Sequence, residues 1–137
     1  MIKKYRMLAS LYAAGVDVKQ DTNEALKLYQ AAAGHGDASA ANSIGEMFLH
    51  GNGVEKDYGV AMQWFQSAAD KGSAAANGNI GSMYEQGQGV KIDFAAAAEW
   101  YLKGAQKGDA VSQYNVGRMQ LAPRSPSPAT RSRIAKE

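Results

Sequence analysis

The sequence repeats itself every 36 residues, and that period limits the fold more than any other feature of the chain. Leu8-Ala9-Ser10-Leu11-Tyr12-Ala13-Ala14-Gly15 aligns with Ile44-Gly45-Glu46-Met47-Phe48-Leu49-His50-Gly51 and with Ile80-Gly81-Ser82-Met83-Tyr84-Glu85-Gln86-Gly87. Val116-Gly117-Arg118-Met119 opens a fourth copy. The register continues through Asp21, Asp57 and Asp93, then Ala25, Ala61 and Ala97, then Tyr29, Phe65 and Tyr101, and closes at Gly36, Gly72 and Gly108. A period of this length marks stacked supersecondary units. Stacked units present an extended concave surface, which moves the expected function from catalysis towards binding.

Within the second unit, Ala41, Ile44, Gly45 and Phe48 fall at i, i+3, i+4 and i+7, the spacing of one helical face. Gly51 suits the left-handed residue that ends a helix. Asp57 suits the N-cap of the next one, because its carboxylate can accept from an orphaned backbone N–H. Asp21 with Glu24 reads as a capping box at the matching place in the first unit. Ala61, Trp64, Phe65, Ala68 and Ala69 then form a broad apolar stripe. The pattern predicts two antiparallel helices per unit, joined by a glycine turn. Trp64 and Phe65 are expected to fill the space between units, with Tyr29, Trp100 and Tyr101 also in the core. One hairpin cannot cover such a stripe alone, so the units must stack.

The expected layout is an array over residues 1–122, with units 2–37, 38–73 and 74–109 and a partial unit 110–122. Asp17 stands where Gly53 and Gly89 stand, Leu28 replaces the tryptophan, and Gly104 replaces the first alanine of a pair. The fourth unit fails at Gln120 and Pro123. Residues 123–137 are rich in Pro, Ser and Arg and read as a disordered tail. The broken unit leaves Val116 and Met119 without a following helix. That end is therefore expected to pair with a second copy as a homodimer, or with further repeats of a longer chain.

The chain has no cysteine, which removes disulfides and thiolate metal sites. Its net charge is +2, but the tail alone carries +3, leaving −1 for the repeats. A near-neutral body argues against nucleic acid as a partner. No apolar run approaches the roughly 20 residues of a membrane span, so membrane insertion is not expected. Lys3, Lys4 and Arg6 before Met7–Val16 resemble the start of a secretory signal. However, Leu8, Leu11, Tyr12 and Gly15 keep the repeat register, and a first structural helix is the better reading. A cytoplasmic location is expected, with secretion or a periplasmic location as the alternative.

Sites for chemistry are weak. Gly51-Asn52-Gly53 and Gly87-Gln88-Gly89 follow helices, not strands, and lack the context of a phosphate loop. Lys71-Gly72-Ser73 reads as a helix end. Asp17, Lys19, Asp21, Asn23 and Glu24 fail as a calcium loop, because a lysine takes a ligand place. His35 and His50 lack further donors for a metal. No catalytic, cofactor or metal residue is assigned.

The repeats resemble the Sel1-like repeat family, a branch of the tetratricopeptide-type solenoids. The family pattern, approximately A-x-x-x-L-G-x-x-Y-x-x-G-x-G-V-x-x-D-x-x-x-A-x-x-W-Y-x-x-A-A-x-x-G, is met by Ala40 to Gly72 and by Ala76 to Gly108. The resemblance implies an all-α, right-handed α/α superhelical solenoid of about three and a half helix-turn-helix repeats. It implies a non-catalytic adaptor or scaffold that binds a protein or peptide on its concave face. The other class it opens is a hydrolase, because some cysteine-rich relatives are linked to β-lactams. Those relatives carry paired cysteines, absent here, and no serine of this chain is followed three residues on by lysine.

By analogy with tetratricopeptide units, the first helix of each pair lines the concave face. That places Arg6, Ser10, Ala13 and Ala14, then Asn42, Glu46, Leu49 and His50, on the expected partner-binding surface. Gly78, Ser82, Glu85 and Gln86 follow from the third unit, and Tyr114 and Arg118 from the fourth. The mixture of polar, charged and aromatic types suits a protein interface.

Overall fold

The structure, a computed structural model, describes residues 2–14 and 21–121. Expectations placed on Gly15, Asp17, Lys19 and residues 123–137 lie outside the described residues. Within them the chain forms seven helices and no strand: α1 (Ile2–Ala14), α2 (Thr22–Gly34), α3 (Ala38–His50), α4 (Tyr58–Asp70), α5 (Ala74–Gln86), α6 (Phe94–Gln106) and α7 (Ala110–Leu121). Each helix packs on the next in chain order, and α5 also meets α7 directly. The result is an all-α repeat solenoid.

The turns inside the second and third units are built the same way. Gly51 and Gly87 sit at φ 69° and 70°, and their N–H groups donate to the carbonyls of Met47 and Met83. That left-handed region penalises any residue with a Cβ. The chain then returns onto the helix it has left: the N–H of Asp57 donates to Phe48 O at 2.9 Å, and that of Asp93 to Tyr84 O at 3.0 Å. The carboxylates of Asp21, Asp57 and Asp93 accept from the N–H groups of Glu24, Val60 and Ala96. Asp21 and Glu24 make the first half of the expected capping box, through the Glu24 N–H, and not the reciprocal half. The N–H of Asp21 donates to Tyr12 O at 3.1 Å, so the returning backbone, not Glu24, satisfies it.

The two helices of the second and third units close on an aromatic ring seated on glycine, so Phe65 fills space within its unit where it was expected between units. Phe65 is 0 % and Tyr101 2 % exposed. A Cβ placed on Gly45 would lie 2.5 Å from the Phe65 ring, and one on Gly81 2.8 Å from the Tyr101 ring. Glycine is required there by close approach. The tryptophans depart from expectation. Trp64 and Trp100 pack against the core yet remain partly exposed, because a helix turns about 100° per residue and carries each of them to the edge of the stripe. The Lys103 ammonium covers the outer side of Trp100, 4.2 Å from the ring centre. Gly104 also has a reason: Ser112 is fully buried opposite it, and a Cβ there would lie 3.0 Å from the Ser112 Cβ.

Successive units are also tied by lysines. The Lys71 ammonium donates to Ala33 O at 3.1 Å, and that of Lys107 to Ala69 O at 3.3 Å and to Asn77 Oδ1 at 3.3 Å. Each strut places a positive charge at the C-terminal end of the preceding unit's second helix, where the helix dipole favours it.

Candidate partner-binding face

The odd-numbered helices carry two groups of hydrogen-bonded polar side chains. The Asn42 amide donates to Glu46 Oε1 at 2.8 Å and accepts from Asn79 Nδ2 at 2.9 Å, joining α3 to α5. Glu85 Oε1 accepts from the Tyr101 hydroxyl and from the Arg118 guanidinium, each at 2.8 Å, joining α5, α6 and α7. Arg118 donates further to Asn115 Oδ1 at 3.3 Å. Burial, and then the bond to the Glu85 carboxylate, hold the Tyr101 hydroxyl well above its ordinary pKa, so it acts as a neutral donor. The same carboxylate raises Arg118.

Two open cavities flank Glu46, which is itself exposed. One, of about 590 Å³, is lined by Ala13, Thr22, Tyr29, Ser43, Glu46 and Gly53 among others. The other, of about 260 Å³, is lined by Glu46, Gly78, Asn79, Ser82, Asp109 and Asn115 among others. Among the described residues its lining holds two carboxylates, two amides and a hydroxyl, and no lysine or arginine.

The expected face divides accordingly. Glu46 and Ser82 share a cavity wall, and Glu85 and Arg118 form an ion pair. Gln86 is exposed and donates to Ser82 Oγ at 2.9 Å. Arg6 reaches Asp37, the N-cap of α3, at 3.2 Å. Ser10 Oγ lies 3.2 Å from the Tyr29 hydroxyl, and His50 and Tyr114 are exposed. Asn42 is buried instead of open, Gly78 is buried yet lines the smaller cavity, and Leu49 packs against the core. Ala13 lines the larger cavity, and Ala14 is exposed.

Ser43, Asn79 and Asn115 line these cavities and were missing from the expected set. They stand 36 residues apart, so the register itself could have revealed them. Among the described residues, no group of three His, Cys, Asp or Glu is placed to hold a metal ion. His35 stacks on Tyr5 with ring centres 5.9 Å apart. No described helix is long and apolar enough to cross a membrane.

The Sel1 repeat profile matches residues 5–37, 38–73 and 74–109 in unbroken succession. The chain belongs to the Sel1 repeat family. A Sel1 repeat protein from Oxalobacter formigenes is similar at 38 % identity and a TM-score of 0.85, over 93 % of this chain and 52 % of that one. A protective antigen of uropathogenic Escherichia coli strains, which displays the same repeat fold, is similar at 34 % identity and a TM-score of 0.80. That match covers 87 % of this chain and 26 % of the antigen. This chain thus spans about half of the first relative and about a quarter of the second. Cysteine-rich protein B of Helicobacter pylori, at 18 % identity and a TM-score of 0.68, covers 83 % of this chain and 90 % of its own, and shares the fold. None of the curated protein sequences matches this chain. The Sel1 fold is generally a protein-interaction module and typically a non-catalytic scaffold, as the repeat register implies.

Proposed function

We propose that this Sel1 array is a non-catalytic adaptor that holds a basic, extended segment of a protein partner along its odd-numbered helices. The observation that carries this reading is Glu46, an exposed carboxylate forming a wall common to two cavities. Its neighbours supply further acceptors: Asp109 is a second carboxylate, and Asn79 and Asn115 can bond to a partner backbone. Complementary charge of this kind steers and orients a partner. The two hydrogen-bonded groups, one around Asn42 and one around Glu85, hold the surface in one arrangement before binding, which lowers the entropic cost of association.

The test is selection of binders from a random peptide library displayed on phage, using the whole protein as bait, followed by calorimetry. Selected peptides should be enriched in Lys and Arg, and Glu46→Lys should weaken them about tenfold. Peptides without basic enrichment, or binding indifferent to Glu46→Lys, would remove the reading.

A further inference from the structure

Among the described residues, the cleft between successive odd-numbered helices is bridged by a side chain in two places and open in a third. One register position decides which. Residues 6, 42 and 78 stand 36 apart as Arg, Asn and Gly. Between α1 and α3, Arg6 reaches across to Asp37 Oδ1 at 3.2 Å. Between α3 and α5, the Asn42 amide accepts from Asn79 Nδ2 at 2.9 Å. Between α5 and α7, Gly78 has no side chain to offer. Ser112 Oγ and Asp109 Oδ2 come within 2.7 Å and 3.2 Å of where its Cβ would stand, and the cavity of about 260 Å³ opens alongside. The carboxylates correspond as well. Asp37 and Asp109 lie two periods apart, lead into α3 and α7, and accept from the backbone N–H groups of Ala40 and Ser112. Arg6 precedes its aspartate by 31 residues, and Gly78 precedes Asp109 by the same interval.

We propose that this cavity is a subsite for an arginine side chain of the partner, whose guanidinium pairs with Asp109 as Arg6 pairs with Asp37. The subsite rests on the adaptor reading, which supplies a basic partner, and singles out the residue that partner presents. Asp109 takes both bonds from Ser112 on Oδ2, so Oδ1 is the oxygen for an incoming donor. Asn79 commits its Nδ2 to Asn42 and offers its carbonyl oxygen as an acceptor. Glu46, from α3, adds a second carboxylate. Several acceptors around one cavity suit a planar guanidinium, whose five N–H donors spread in a fixed fork. A lysine ammonium gathers three donors at one point and holds its water more tightly. A cavity of roughly 150 Å³ takes a benzene ring, so this one has room for a guanidinium and part of its stem.

The experiment titrates the whole, isotope-labelled protein with N-acetyl-arginine methylamide and follows its amide NMR spectrum, with the lysine and citrulline analogues as controls. Arginine should shift the amides of Gly78, Asn79, Ser82 and Asp109 saturably. Lysine should bind about fivefold more weakly, and citrulline, similar in shape but uncharged, should not saturate. Asp109→Asn keeps a side-chain acceptor for the first turn of α7 and should weaken arginine about tenfold. Val111→Arg changes a lining position that is 66 % exposed. It should weaken arginine by a similar factor, because the chain then supplies a competing guanidinium of its own while Asp109 stays intact. Spectra unchanged outside α5 and α7 would verify that both variants are folded. No shift at these four amides, equal affinity for arginine and lysine, or binding indifferent to Asp109→Asn would overturn the proposal. Library peptides that depend on Glu46 yet keep their affinity when every Arg is changed to Lys would overturn it too, and leave the adaptor reading standing.

Discussion

The Phe65 ring stands where a side chain on Gly45 would have to be, 2.5 Å from the position of its Cβ. Gly45→Ala should therefore destabilise the fold by about 1–3 kcal/mol through overpacking. Gly117→Ala, in the same register but with no described residue within 4 Å of its Cβ, should leave stability unchanged or raise it by up to about 1 kcal/mol. Urea midpoints of the two variants, measured side by side, check the contrast.

The neighbouring aromatics should separate in the same way. Phe65→Ala opens a void in a fully buried place and should cost about 3–5 kcal/mol. Trp64→Ala removes a side chain that solvent already reaches, and roughly 1–2 kcal/mol is expected. Equal losses would mean that the half-exposed tryptophan carries more of the stacking than its position indicates.

Much of this architecture was legible because the repeat is written in small residues. Gly45 and Gly81 mark where rings press, and Gly51 and Gly87 mark where the backbone turns left-handed; both follow from the absence of a Cβ. The long polar side chains were harder to read. Asn42 belongs by register to the open face, yet it is buried, because whether an amide turns inward depends on partners such as Asn79 in another unit. The tryptophans misled for a related reason: hydrophobicity signals a stripe but not which residue lies at its margin.

Gly51→Val forces a β-branched residue to φ 69°. A cost of at least about 1–2 kcal/mol is expected from the left-handed conformation alone. Gly51→Asn, which tolerates that region better, should recover part of it. Thermal midpoints of the pair would show whether the turn geometry is the cause.

Stability at alkaline pH should carry the signature of Tyr101. Its ordinary pKa is 10.0, and burial with the Glu85 bond raises it in the folded chain. The folded state thus keeps a proton that the unfolded state has released. That contribution is intact below pH 10 and is lost as pH climbs from there towards the folded value. Denaturant midpoints taken between about pH 8 and pH 11 should fall more steeply for the native chain than for Tyr101→Phe. Parallel curves would deny the tyrosine this part.

The lysine struts should be individually modest. Lys71→Met leaves the Ala33 carbonyl without that donor, and Lys107→Met does the same at Ala69. Each should cost about 1 kcal/mol or less, because both side chains are exposed and water can substitute. Chemical denaturation of the single and double variants would show whether the losses add.

These struts also give the array a centre of gravity for its fluctuations. The second unit gives one through Lys71 and receives one at Ala69, so among the described residues it is clasped on both sides. In a nearest-neighbour solenoid, each interface between units adds to the protection of the two units it joins. The most slowly exchanging amides should thus cluster in α3 and α4, the helices of the doubly clasped unit.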